Sequence, residues 1–278
     1  MTTFIEKEEK LQAILTDYHK VIVGFSGGID STVVLKEAVD ILGKENVLAV
    51  VANSELFSDE EYNKAVTLAQ ELDVNVQGIE LDYLANENIS NNTPESWYYM
   101  KKIFYKALNK IAADFNADAV LDGMIMDDNN DFRPGLRARD EEKAVSVLQT
   151  ADIYKIDVRE IAKKLELNNW NKVASCSVSS RFPYYTKLTS EKIEKVMAAE
   201  AYLRALGFPT VRVRVHGTVA RVEVPATAFN DFMLSRKEIN NKLLKLGYEF
   251  VTLDLSGFES GRMNEVLSEN TKKKVLVG

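Results

Sequence analysis

A short apolar run, Val21-Ile-Val-Gly-Phe25, leads straight into Ser26-Gly27-Gly28-Ile29-Asp30-Ser31, and a helical pattern then continues to Leu42 before Gly43 stops it. A strand, a glycine turn and a helix in that order dictate a βα unit whose turn lies at the helix N-terminus. Glycine permits positive φ and close backbone approach, so successive N–H groups can face an anion there. Ser26 and Ser31 add hydroxyl donors, and Asp30 suits a metal bridging phosphates. A glycine turn that merely closes a βα unit is the plainer reading of two glycines. It leaves unexplained a serine at each end and an aspartate inside. No lysine follows the glycines, which excludes a Walker A loop, and the dinucleotide fingerprint GxGxxG is absent. Gly24-Phe-Ser26-Gly-Gly28 also spells the GxSxG nucleophile elbow. An elbow needs a downstream acid and then a histidine, which leaves only His216, at the end of an arginine-rich strand pattern, so the hydrolase reading is set aside.

The βα rhythm repeats. Residues 4–18 read as an amphipathic helix, Val47–Ala52 and Val74–Leu81 as strands, and Ser58-Asp59 as the cap of a helix between them. Asn86–Asn92 reads as polar loop. Thr93-Pro94 reads as N-cap and first residue of a long helix through Phe115, Ala119–Leu121 as strand, and Asp157 with Glu160 as a capping box. Strands alternating with helices at this spacing predict an α/β domain with a parallel sheet. Near residue 185 the pattern changes. A helix from about Ser190 ends at Gly207, two alternating runs (Val211–Val215, Val219–Val224) flank His216-Gly217-Thr218, and Glu238–Leu246 and Tyr248–Leu255 read as helix and strand. The expectation is a parallel-sheet domain over 1–185 followed by a smaller α+β domain over 186–278.

Charge divides along the same line. Residues 1–185 carry 20 basic and 31 acidic side chains, net −11, and 186–278 carry 15 and 11, net +4. The chain's overall −7 argues against a broad nucleic-acid or membrane footprint but allows a local basic site. No apolar run approaches the roughly 20 residues of a membrane span, and MTTFIEKEEK lacks the pattern of a signal peptide. One cysteine excludes an internal disulfide and a CxxC motif, and two histidines cannot build a zinc site unaided. A cytoplasmic protein is expected.

Two features stay open on the residues alone. Cys176 lies in Ala174-Ser-Cys-Ser-Val-Ser-Ser180, small and polar, with Arg181 close enough in sequence to favour a thiolate. A lone cytoplasmic cysteine is more commonly inert, and the two readings balance. Arg212, Arg214 and His216 share one strand face, and Arg221 and Glu223 share one on the partner strand. Such a face is either a solvated sheet surface or a phosphate clamp.

Ser26, Gly27, Gly28, Asp30 and Ser31 match position by position the PP-loop of the ATP pyrophosphatase superfamily, which the segment resembles. The resemblance extends to Val51–Phe57, Asn92–Tyr99, Leu121–Met124, Arg133–Leu136, Trp170–Pro183 and Thr210–Arg214. Over nearly the whole chain these are similar to the LarE family of ATP-dependent sulfur transferases, which act in nickel-pincer cofactor biosynthesis. That resemblance implies ATP and Mg²⁺ at Ser26, Gly27, Gly28, Asp30 and Ser31, with Ser54, Asp122 and Gly123 also at the nucleotide and Asp30 on the metal. It implies Cys176 as sulfur donor, left as dehydroalanine. A small-molecule nucleotide substrate is implied at Trp97, Ser180, Arg181, Arg212 and Arg214, and a second metal at Glu200, Glu223 and Asp231. For Trp97, Tyr98 and Tyr99 helix packing is the plainer reading, and Asp127–Asp131 reads as a mobile, solvated loop. A trimer-based homo-oligomer, up to a hexamer, would be built through the smaller domain. Met126 stands where the family has a basic residue and Tyr185 where it has glycine. A PP-loop ligase using ammonia and a non-catalytic nucleotide-binding module are the other readings of the loop. Pyrophosphate release and the fate of Cys176 separate the three.

Overall fold

The computed structural model describes residues 3–169, 176–259 and 261–277. The Trp170–Ser175 part of the cysteine-centred block therefore lies outside the described residues. The chain divides into two compact units, one formed by Met1–Tyr83, Glu95–Ser175 and Lys274–Gly278, the other by Leu84–Pro94 and Cys176–Lys273. The division thus falls at 175–176 rather than 185–186, because the turn after Cys176 is hydrogen-bonded into the second unit. That unit also takes in a short segment from the middle of the first.

In the first unit the elements run α1 (Phe4–Leu15), β1 (Val21–Gly24), α2 (Ile29–Leu42), β2 (Val47–Ser54), α3 (Asp59–Glu71) and β3 (Asn75–Leu81). After α4 (Glu87–Ser90), which belongs to the second unit, come α5 (Ser96–Phe115), β4 (Ala119–Leu121), α6 (Gly135–Glu141), α7 (Val147–Thr150) and α8 (Lys155–Lys164). The strands form one parallel sheet in the order β3-β2-β1-β4, in register Val21↔Val47 and Val21↔Ala119. Period-2 alternation sends Val21, Val23, Val47, Ala49 and Val51 into a core with α1, α2, α7 and α8. Ile22, Val50 and Val120 enter a second core with Tyr105 and Leu108 of α5 and Ala138 of α6. Both faces are covered, as parallel sheets require. The strand order reverses between β1 and β4, and open α/β sheets bind ligands beyond the carboxyl ends of strands at such a switch.

Three local expectations shift. Asn86–Asn92 contains α4 rather than plain loop, capped by the Asn86 side chain accepting from Asn88 N–H. The long helix begins at Ser96 with Glu95 at its cap position, and the Thr93 hydroxyl donates to the Asn88 carbonyl at 3.1 Å. Asp157 is the third residue of α8, and its carboxylate reaches back to Tyr154 N–H at 2.9 Å.

The second unit continues with α9 (Ser190–Ala205), β5 (Arg212–His216), β6 (Val219–Glu223), α10 (Phe229–Leu234), α11 (Arg236–Lys245) and β7 (Phe250–Leu253). The chain ends in α12 (Glu269–Val277). β5 and β6 form the expected hairpin, and β7 joins β6 in parallel. Val211, Val213, Ala220, Val222 and Val224 pack on Ala199 and Leu203 of α9 and on Ile239 and Leu243 of α11. Among the described residues no helix is long and apolar enough to cross a membrane.

Candidate active site

The glycine loop between β1 and α2 is braced by its own side chains. The Ser26 and Ser31 hydroxyls lie 3.1 Å apart, Ser31 donates to the Gly28 carbonyl at 3.1 Å, and Gly28 N–H donates to Ser26 Oγ at 3.3 Å. Gly27 stands at φ +66°, in the left-handed region, and a Cβ there would press on the backbone of Ala65 at 3.0 Å. Gly28 caps α2, whose first N–H groups have no partner within their own helix. A Cβ on Gly123 would fall 2.7 Å from Ser31 N, so the chain leaving β4 lies directly against that helix N-terminus. The preceding Asp122 is buried and its carboxylate is fully engaged. It accepts from Tyr105 Oη at 2.5 Å, Ser146 Oγ at 2.7 Å and Met124 N–H at 3.1 Å. Asp122 therefore fixes the β4 turn, and Gly123 is the residue that meets the loop. Ser54, at the carboxyl end of β2, keeps a buried hydroxyl with no hydrogen-bond partner.

Asp30 in the first turn of α2 accepts two 2.8 Å hydrogen bonds from Lys155 Nζ at the start of α8. Burial raises the Asp30 carboxyl above its ordinary range against the pull of Lys155, and Asp128 adds to the rise. Asp127–Asp131 is mostly exposed, as expected of a solvated segment, and its first four residues lie in a 3₁₀ turn, Met126–Asn130. Asp128 accepts from Ile125 N–H at 2.9 Å and pairs with Arg133 at 3.1 Å, and Asp127 accepts from Lys155 N–H at 2.8 Å. Lys101 of α5 is a further cation here, its ammonium lowered by burial and opposed in that by Asp122 and Asp128. Sequence reasoning missed Lys101, Asp128 and Lys155, since nothing in their local pattern marks them. Trp97 is half-buried in the first turn of α5, whereas Tyr98 packs inward under the Arg137 guanidinium at 3.7 Å.

In the second unit Cys176 is exposed and its thiol is free. A 3₁₀ turn, Val178–Arg181, follows at once, capped by Ser177 Oγ accepting from Ser179 N–H at 3.2 Å. Arg181 is buried. Its Nε and Nη2 donate to the two Glu200 oxygens at 2.8 and 3.2 Å, and its Nη1 donates to Ser180 Oγ at 2.6 Å. Arg214 donates through Nε to Glu223 at 2.9 Å and through Nη1 to the Ser180 carbonyl at 2.7 Å. The hairpin's polar face is therefore not a solvated sheet surface, since Glu223 is wholly buried and Arg214 nearly so. Arg212 lies over the Phe258 ring at 5.2 Å, and burial beside Arg181 lowers its guanidinium pKa.

Glu200 and Glu223, two of the residues expected at a second metal, are paired with guanidinium groups in the single chain. Glu200 faces Arg181 and Arg204, Glu223 faces Arg214, Arg221 and Arg262, and Asp231 is exposed on α10. Among the described residues no group of three acidic, histidine or cysteine side chains is placed to hold a metal ion. Guanidinium groups already neutralise the two buried carboxylates. Tyr185, where the family pattern has glycine, is at φ +65° and exposed, so the backbone keeps the conformation that favours glycine.

Residues 3–174 match the family described as NAD synthase. The chain is 60% identical to the pyridinium-3,5-bisthiocarboxylic acid mononucleotide synthase of Lactiplantibacillus plantarum, over 97% of this chain and 98% of that one. It is 36% identical to an uncharacterised protein of Synechocystis, over 95% of this chain and 98% of that one. An NH₃-dependent NAD⁺ synthetase of Fusobacterium nucleatum is 23% identical, over 55% and 59% of the two chains.

Proposed function

We propose, from the premise that the chain belongs to the NAD synthase family and to the LarE enzymes within it, that this enzyme is an ATP-dependent sulfur transferase. Its substrate in this reading is pyridinium-3,5-biscarboxylic acid mononucleotide, whose carboxylates become thiocarboxylates in nickel-pincer cofactor biosynthesis. The observation that carries the reading is the exposed thiol of Cys176, the sole cysteine in the chain, in a protein that also has an SGGxDS loop.

A carboxylate oxygen is a poor leaving group, so a thiol does not displace it directly. Attack of the substrate carboxylate on the α-phosphate of ATP breaks the bond to pyrophosphate and gives an acyl adenylate. The braced loop from Ser26 to Ser31 and the N-terminus of α2 offer N–H and hydroxyl donors to the phosphates. The unpartnered Ser54 hydroxyl and the close approach of Gly123 support a nucleotide at this end of the sheet. Asp30, with Asp128 facing it, has the carboxylate oxygens that magnesium favours, and bound Mg²⁺ would screen the phosphate charge. Lys155 holds the Asp30 carboxylate in the meantime. The Cys176 thiolate then attacks the acyl carbon and AMP departs, leaving a thioester. Loss of the Cys176 α-proton to a base breaks the Cβ–Sγ bond, and its electrons leave with the thiocarboxylate. Residue 176 is then dehydroalanine. Ser180, Arg212 and Arg214 are the positions that match the family's anion-binding residues. A trimer-based homo-oligomer built through the second unit belongs to this reading through the family resemblance.

Intact-protein mass tests the reading. After incubation with ATP, Mg²⁺ and the biscarboxylate nucleotide, the mass falls by that of H₂S and position 176 traps an added thiol. Cys176→Ser still releases pyrophosphate but forms no thiocarboxylate. Product in molar excess over protein with Cys176 intact and no added sulfur source overturns the sacrificial step. Near-normal turnover with ammonia by Cys176→Ser points to an amide-forming ligase instead.

A further inference from the structure

We propose that Glu200 and Glu223 are positioning residues, which act through Arg181 and Arg214 to fix the turn that presents the Cys176 thiol. The proposal rests on the sulfur-donor reading for its consequence, but not for its geometry. Both carboxylates sit on rigid elements, Glu200 on α9 and Glu223 on β6, and are 4% and 0% exposed. Glu200 is held from behind by Val213 N–H at 3.0 Å as well as by Arg181. Each arginine turns one edge to its glutamate and another to the Ser177–Arg181 segment. Arg181 Nη1 reaches Ser180 Oγ at 2.6 Å and the Ser177 and Cys176 carbonyls at 3.3 and 3.5 Å. Arg214 Nη1 holds the Ser180 carbonyl at 2.7 Å. The short bonds converge on Ser180, and its hydroxyl in turn donates to the Ser177 carbonyl at 2.9 Å, adjoining Cys176.

Stability alone gives little reason for two buried ion pairs, because apolar residues of similar size commonly serve as well or better. An apolar pair has no donors for main-chain carbonyls, whereas a guanidinium has five in a fixed fork. What the charged pairs add is therefore the hold on the turn. Arg214, Arg221 and Arg262 all approach Glu223 Oε1 within 3.8 Å, whereas Glu223 Oε2 has no hydrogen-bond partner.

The test uses the full chain with its single cysteine labelled at the ¹³C carbonyl, which gives one resonance reporting on position 176. Glu200→Gln and Glu223→Gln are expected to release pyrophosphate within about twofold of the unaltered chain, while single-turnover sulfur transfer falls tenfold or more and the resonance moves or broadens. Should either variant fold poorly, the double substitution Arg181→Met with Glu200→Leu removes the pair without leaving a buried charge. It is expected to restore the melting temperature but neither the resonance nor the transfer rate. Transfer at the unaltered rate by the double variant overturns the proposal, as does equal loss of pyrophosphate release and transfer in the glutamine variants. Manganese binding that Glu200→Gln abolishes also overturns it, in favour of a metal site. If the unaltered chain transfers no sulfur from Cys176, the donor reading fails by itself. The resonance of the double variant still decides the positioning role: a shift upholds it and an unchanged line overturns it.

Discussion

Asp30 shows how much one carboxylate can carry in the first turn of a helix. It faces Lys155 through two hydrogen bonds and lies where ATP phosphates would meet the N-terminus of α2. Asp30→Asn preserves its size and removes its charge, so pyrophosphate release is expected to fall about 100-fold or more with the melting temperature nearly unchanged. A coupled pyrophosphate assay beside a thermal melt checks both. Arg212 and Arg214 look equivalent in sequence, two residues apart on one strand face, but their surroundings separate them. Arg214→Ala takes a partner from the fully buried Glu223 and is expected to destabilise by about 3 kcal/mol. Arg212→Ala removes a half-buried cation over Phe258. It is expected to weaken use of the nucleotide substrate by about 1.5–3 kcal/mol, with ATP binding unaffected. Urea titrations and substrate KM values for the two variants distinguish them.

At the scale of elements, α1 and α2 meet through two carboxyls, Glu8 and Glu37, each 1% exposed. Lys164 of α8 donates to Glu8 at 2.6 Å and Gln12 to Glu37 at 3.0 Å, and the remaining oxygen of each has no donor. Burial, then Glu8 and Asp40, push Glu37 up to about 7. The folded chain therefore keeps a proton that the unfolded chain releases near the ordinary glutamate range. Stability from this pair is full below about 4.5 and declines as pH rises through 7, by on the order of 1–3 kcal/mol. Glu37→Gln removes the titrating carboxyl, and its stability relative to the unaltered chain is expected to rise between pH 5 and pH 8, read by denaturant unfolding at each pH. This pairing was not legible in the sequence, where Glu8 and Glu37 look like ordinary charges on helix surfaces. The sheet was legible because its periodicity is local, as was the loop, whose glycines need no distant partner to be recognised. Asp157 misled as the first residue of a capping box because such a pattern names the residue types but not which N–H group they will reach. The polar face of β5 was read correctly by alternation. Its burial was not, since burial comes from Arg181 and Glu200, which no spacing links to it.

For the molecule as a whole, the two units interleave along the chain, and Asn92 makes several of the bonds that tie the borrowed segment into the second. Asn92 follows α4 and is 1% exposed at φ +50°. Its side-chain amide lies 3.1 Å from the Phe182 carbonyl, 3.0 Å from that of Pro183 and 3.4 Å from that of Ser179. Its own carbonyl accepts from Tyr185 N–H at 3.0 Å, and nearby Ser90 accepts from Leu188 N–H at 2.7 Å. A piece cut at the apparent boundary, 186–278, loses all of this along with Arg181, the partner of Glu200. Such a fragment is expected to be unfolded by circular dichroism. Asn92→Ala in the full chain leaves buried carbonyls without a donor and puts a Cβ without compensating bonds in the left-handed region, a combined loss of about 2–4 kcal/mol. Asn92→Gly relieves the backbone but not the carbonyls, so it should recover roughly 1 kcal/mol of that loss and no more. Both variants are expected to bind ATP normally, since the loop from Ser26 to Ser31 belongs to the other unit. Denaturant unfolding followed alongside nucleotide binding checks each part. Full recovery in Asn92→Gly would mean that backbone conformation alone, and not the hydrogen bonds to 179–183, fixes the segment in the second unit.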